Sequence, residues 1–242
     1  MNRDDANVPG KRSEVLARLD PDADKIIARY PRSRSALLPL LHLVQAEEGY
    51  VSADGIAYCA ARLGLTETDV STVLSYYTMY KRHPVGEYHI GVCTNTLCAI
   101  MGGDQILASL REHLGTEGDE PTPDGKVSVE HVECNAACDF APVVMVNWEF
   151  FDNMTPESAR ELTDSLRAGR PVAPSRGPSR LCTWREAARI LAGFPDGQAA
   201  DGPQAGEPTL AGLRVAKANG WTAPPPGTAQ PEPASSAQKD HS

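Results

Sequence analysis

The 242-residue chain carries 23 Lys and Arg against 32 Asp and Glu, a formal net charge of −9, which speaks against a nucleic-acid binder because that role calls for a basic stripe. Its length allows one large or two modest domains with a real core, and six cysteines behind an opening without an apolar signal segment point to a reducing compartment. The longest apolar run, Ala36 to Val44, is broken by Pro39 and His42 and is too short to span a bilayer, so any membrane association is expected through a partner.

Residues 1–20 are polar and are expected to form a disordered leader. From 21 to 81 the apolar residues recur at helical spacing: Ile26, Ile27 and Tyr30; Leu37, Leu38, Leu41, Leu43 and Val44; Ile56, Cys59, Ala60 and Leu63; Val70, Val73, Leu74 and Tyr77. This predicts a four-helix bundle. Ser52 stands ahead of the third helix, and Thr66-x-x-Asp69 reads as a capping box ahead of the fourth. Pro39 belongs in a first turn. Cys59 falls on an apolar face and His42 among leucines, so both read as core residues, the histidine with its hydrogen bonds satisfied. The YYTMY run, 76–80, has more aromatic surface than a helix end can bury, and suggests a docking surface.

The texture changes over 82–170. Glu87 to Val92 reads as a strand, Gly103 to Leu114 as a helix, and Val127 to Val132 and Val143 to Trp148 as strands with a tight connection at Asn147. Pro156 to Leu166 closes as a helix capped by Thr155. That β-α-β-β-α order is the order of a thioredoxin-like α/β domain, without a C-x-x-C redox motif. The fold class is therefore α/β: a helical bundle, then a thioredoxin-like domain, then a Pro-rich tail.

The chemistry lies at the ends of two strands. Cys93 and Cys98 form C-x4-C, and, after thirty-five intervening residues, Cys134 and Cys138 form C-x3-C. Each pair follows an apolar strand and is expected on a loop among small and polar residues. Four thiolates suit either a [2Fe-2S] cluster or a structural zinc, and spacing alone leaves both open. Glu133 and Asp139 flank the second pair with negative charge. No acid–base pair and no Gly-rich nucleotide fingerprint appears, so no residue is assigned as catalytic. Gly102-Gly103 reads as no more than a turn or helix start.

The tail, 171–242, holds 11 of the 20 prolines. Two apolar islands, Trp184 to Phe194 and Leu210 to Trp221, read equally as anchors or as chance helicity, and 222–242 is expected to be disordered. Cys182 lies here without a partner and is left out of the metal set.

Five segments, SRSALLPLLHLVQAEEGYVS, YYTMY, HPVGEYHIGVCTNTLC, TPDGKVSVEHVECNAACDFAPVVMVN and NMTPESARELTDSLR, together resemble the small thioredoxin-like [2Fe-2S] subunit of bacterial NADH:quinone oxidoreductase, respiratory complex I. The likeness spans about residues 20–168. It implies that Cys93, Cys98, Cys134 and Cys138 hold one [2Fe-2S] cluster. It also implies a larger flavoprotein partner that binds FMN and NADH, other subunits of the peripheral arm, and a location on the cytoplasmic side of the plasma membrane. The pattern departs in two places: Ala99-Ile100-Met101-Gly102 replaces a bulky residue followed by Leu-Arg-Gly, and Asn135-Ala136-Ala137 replaces Leu-Gly-Ala. The same module occurs in diaphorase units of hydrogenases and formate dehydrogenases. A zinc adaptor is the remaining alternative from the residues themselves.

Overall fold

The computed structural model describes residues 16–199 and 201–223. The expectations for residues 1–15 and 224–242 lie outside the described residues. The described residues up to 204 form one compact unit, and 205–223 belong to a second, in which α9, Glu207–Ala218, has no buried residue.

Four helices open the first unit: α1, Asp20–Ile27; α2, Leu37–Glu48, led in by a 3-10 turn over Ser33–Ala36; α3, Ala53–Leu63; and α4, Glu67–Tyr76. Their starts follow from the capping residues. Ser52 accepts the Gly55 N–H at 3.1 Å, and Thr66 and Asp69 bond each other's backbone N–H groups in a complete capping box. Thr66→Ala is expected to cost about 1 kcal/mol, checked as a lowered urea midpoint with an unchanged m-value.

The helices share one core built on Ile26, Leu40, Leu41, Leu43, Val44, Cys59 and Val70. Gly55 lets α3 close on α2, because a Cβ there would meet Val44 Cγ1 at 2.5 Å. Leu16 and Leu19, assigned by sequence to a polar leader, are buried in this core. Two apolar side chains among charged neighbours give no periodic signal, and their burial is decided by the groove above them. His42 is a core residue as expected, at 4.7 Å from the Tyr80 ring. Its Nδ1, however, has no hydrogen-bond partner, and burial depresses its pKa to about 4.

The second half is a four-stranded sheet in the order β2-β1-β3-β4. β1, Tyr88–Cys93, runs parallel to β2, Val127–Val132, and antiparallel to β3, Val144–Val146, which pairs with β4, Glu149–Phe151. The single strand expected over Val143 to Trp148 stops at Val146, because Asn147 and Trp148 take positive φ values, 50° and 75°, and reverse the chain. One sheet face, Ile90, Val92, Val127, Val129, Val144 and Val146, packs on α6, Gly103–Leu114, and α7, Pro156–Arg167. By the two-residue alternation of strands, His89, Ser128 and Glu130 lie on the other face.

Part of the stretch expected in the low-complexity tail returns to the sheet: Val172 and Leu181 pack on the valine-lined core, and Trp184 lies against the other face. Trp184, 2% exposed, opens α8, Trp184–Leu191. Its ring lies 5.3 Å from His89 and 5.7 Å from Trp148, and its Nε1–H donates to Gly49 O at 2.7 Å. α8 continues along α2, with Arg189 bonded to Asp22 and Arg29 to Gly193 O. The first island is thus an anchor on its own chain. Its groove joins His89 and Trp148 to residues at the first two helices more than 100 positions away, which local sequence does not reveal.

Candidate metal centre

Parallel pairing places the carboxyl ends of β1 and β2 side by side, with Cys93 opposite Val132. Both cysteine pairs therefore leave the same end of the sheet, where open α/β sheets hold their ligands. Cys93 is the last residue of β1, and Cys98 lies in a short helix, α5, Thr96–Ile100. The expected loop is thus a strand end joined to a helical turn. The turn has a geometric reason: at ~3.3 Å per residue an extended x4 link would carry the second sulfur away from the first, whereas at ~1.5 Å per residue a helix brings it back. Cys134 lies two residues past β2, and Cys138 opens a 3-10 turn, Cys138–Phe140.

All four are free thiols, the first pair buried and the second exposed. Cys93 lies within hydrogen-bonding reach of Cys98, and Cys134 of Cys138, while Cys138 also senses Cys93 electrostatically. The donors come as two adjoining pairs rather than one tight group of three or more. Burial, and then the Cys93 neighbour, push the Cys98 thiol up to about 11, against a backbone N–H from Val143 that pulls it down. The hydrogen bond and charge of Cys134 raise Cys138. Thiols placed so resist ionising together, and a cationic centre between them removes that opposition.

The surroundings fit an iron–sulfur core. Ala137, Ala141, Val143 and Phe150 make an apolar nest around Cys93 and Cys98. Ala136 N–H points at Cys134 Sγ at 3.4 Å, the kind of N–H···S contact that tunes such a core. Asn135 Nδ2, between those two residues, is a buried amide donor with no protein partner. Ala136 has φ 53°, a left-handed conformation that costs a non-glycine residue about 1–2 kcal/mol, so the departure at this position is borne as backbone strain. These donors and Phe150 escaped the sequence reading, since which N–H faces a sulfur depends on backbone angles. Glu133 accepts from Asn95 Nδ2 at 3.0 Å and so links the two cysteine segments. Cys59 and Cys182 are buried apart, with thiols pushed by burial to about 12 and about 11 respectively.

The sequence profile of the thioredoxin-like [2Fe-2S] ferredoxins matches residues 23–167, which include both cysteine pairs. The chain belongs to this family. Its cofactor is accordingly a [2Fe-2S] cluster, and the zinc alternative left open by the spacing falls away. This thioredoxin-like ferredoxin is 62% identical to an NADH-quinone oxidoreductase subunit of Mycobacterium tuberculosis over 213 residues, 88% of this chain and 84% of that one. It is also 40% identical to the same-named protein of Rickettsia bellii over 148 residues, 60% of this chain and 89% of that one. A third relative, NADH-quinone oxidoreductase subunit 2 of Thermus thermophilus, is 39% identical over 160 residues, 65% and 88% of the two chains. The mycobacterial match leaves 29 residues of this chain outside it, so it takes in residues 30–213 and with them α8.

Proposed function

We propose that Cys93, Cys98, Cys134 and Cys138 each give one thiolate to a single [2Fe-2S] cluster. With it the chain serves as the electron-transfer subunit of NADH:quinone oxidoreductase, not catalytic alone. The observation that carries the ligand set is the convergence of two thiol pairs at one end of the sheet, inside a chain whose relatives are NADH-quinone oxidoreductase subunits. When bound, the cluster accepts and returns one electron at a time. NADH delivers a two-electron hydride, so a flavin must stand between them. FMN and NADH belong to the partner flavoprotein, and the chain sits in the peripheral arm on the cytoplasmic side. Among the described residues no helix is long and apolar enough to cross a membrane.

The chain's own residues supply an apolar nest around the first cysteine pair, N–H donors and a docking face. Leu97, Ile100 and Met101 flank Cys98 and are exposed, as are Tyr76 and Tyr77. Tyr80 of the same run is buried instead, with its hydroxyl on Leu38 O. The aromatic excess at 76–77 thus faces outward, as a subunit contact requires. In this reading residues 21–81 are a helical bundle, 82–170 the cluster-bearing unit and 171–242 a tail that sends one anchor back. Rapid-freeze EPR of the assembled complex tests the role. The binuclear signal should appear as NADH reduces the flavin, and a cluster that stays oxidised throughout would refute it.

A further inference from the structure

The segment past the matched family domain returns to the second cysteine pair. Ser175 N–H donates to Phe150 O at 2.8 Å, and Phe150 and Arg176 form an isolated antiparallel bridge on the outer edge of β4. Asp152 N–H donates to Ser175 Oγ at 2.8 Å. This edge pairing drives the Arg176 side chain inward until only 15% is exposed. Its guanidinium carbon lies 4.3 Å from the centre of the Phe150 ring and 5.3 Å from that of Phe140, and Nη2 bonds Asp152 Oδ1 at 3.0 Å.

The Phe150 ring packs on the thiol nest, and Phe140 belongs to the turn that carries the second cysteine pair. Phe140 ends the one-turn helix that Cys138 begins, with its N–H on Ala137 O and its carbonyl accepting from Asn153. Phe150 packs against Cys93, Cys98, Ala137, Ala141 and Val143. A planar cation between two aromatic rings is attracted to both faces, more strongly where water is excluded. The nearby charges are Asp152, whose carboxylate is itself buried, and Asp139, which acts on Asp152.

We propose that Arg176 is a positioning residue for the second cysteine loop: it clamps Phe140 and Phe150 from behind the thiol nest and keeps one positive charge beside an anionic centre. The proposal rests on the ligand assignment above. It gives the 172–194 strap a purpose in the site as well as in the packing of α8, and it places that purpose in a stretch that the mycobacterial relative shares and the family domain does not include.

The test is an EPR-monitored redox titration of the full-length chain loaded with iron and sulfide. Arg176→Met should alter the g-tensor line shape and shift the midpoint to a more negative potential, because the positive charge is lost. Arg176→Lys keeps the charge but not the planar stack, so it should leave the midpoint near that of the parent protein and still alter the line shape. A fully loaded Arg176→Met protein with parental midpoint and line shape would overturn the proposal. Should that variant fail to fold, a parental line shape in Arg176→Lys overturns it equally. Failure of the ligand assignment reads differently, as a full signal surviving in Cys138→Ala.

Discussion

Cys138→Ala and Cys93→Ser are each expected to abolish the binuclear EPR signal and most of the iron and acid-labile sulfide, while far-UV circular dichroism keeps the helical signal. Each iron of the core takes two cysteines, so losing one sulfur leaves an open coordination position that alanine cannot fill and a serine hydroxyl fills poorly. The helical signal survives because the core of α1 to α4 contains none of the four proposed ligands. Cys59→Ala and Cys182→Ala are the controls. Cys59 is wholly buried among helix residues, and Cys182 lies beneath the Trp184 anchor, where its carbonyl accepts from Asn147 Nδ2 at 2.9 Å. Both substitutions should keep the full signal. A Cys59 variant that lost the cluster, or a Cys93 or Cys138 variant that kept it, would show the ligand set to be wrong.

The second large effect lies on the opposite sheet face, where Glu130→Ala should destabilise the protein by about 3–5 kcal/mol, the cost typical of removing one partner from a buried ion pair. Lys81 Nζ lies 2.5 Å from Glu130 Oε1, with 7% and 17% of the two side chains exposed. His89 Nε2 lies 2.8 Å from the same oxygen, and its Nδ1 is 2.8 Å from Ser128 Oγ. Because that hydroxyl oxygen already accepts the Gly86 N–H, its proton is free for Nδ1, and the network assigns the histidine proton to Nε2, donated to Glu130. Lys81 also joins the halves of the molecule, since its N–H donates to Gln45 Oε1 and its carbonyl accepts from Val51. Alanine at 130 leaves the Lys81 ammonium buried with no carboxylate. The measurement is a urea unfolding curve, and an unchanged midpoint would refute the assignment.

The same network makes the fold sensitive to acid. Burial works to raise the Glu130 pKa, but the hydrogen bond from His89 and the Lys81 ammonium prevail and hold it at about 2, below its ordinary 4.5. Its contribution is therefore present above pH 4.5 and is lost as pH falls towards 2. His89 and His42 are both depressed by burial, the latter from 6.5 to about 4, so they are neutral when folded and take up protons on unfolding. They leave stability unaffected above pH 6.5 and lower it increasingly as pH falls below that value, because the unfolded imidazoles take up protons that the buried ones do not. Stability should decline on acidification in two stages, and Glu130→Ala should shrink the lower one, to which Asp124, also held at about 2, contributes as well.

The cysteines were legible as a pair of pairs because the signal is local: a β-prone run, then small polar residues, then sulfur. The caps at Ser52 and Thr66 were legible for the same reason, each being a contact over three residues. The core-facing positions of α1 to α4 followed from periodicity, and the family's own motifs named the cluster. Sequence could not reveal that Lys81 meets Glu130 across 49 positions, that Trp184 caps Gly49, that Leu16 and Leu19 are buried, or that Arg176 enters between Phe140 and Phe150. What the chain determines by itself is which side chains can bind metal and which stretches coil. Which distant surfaces meet was decided only in the tertiary structure, because burial of an aromatic or an ion depends on the shape and charge of a groove built from remote residues, and no short-range pattern encodes that groove.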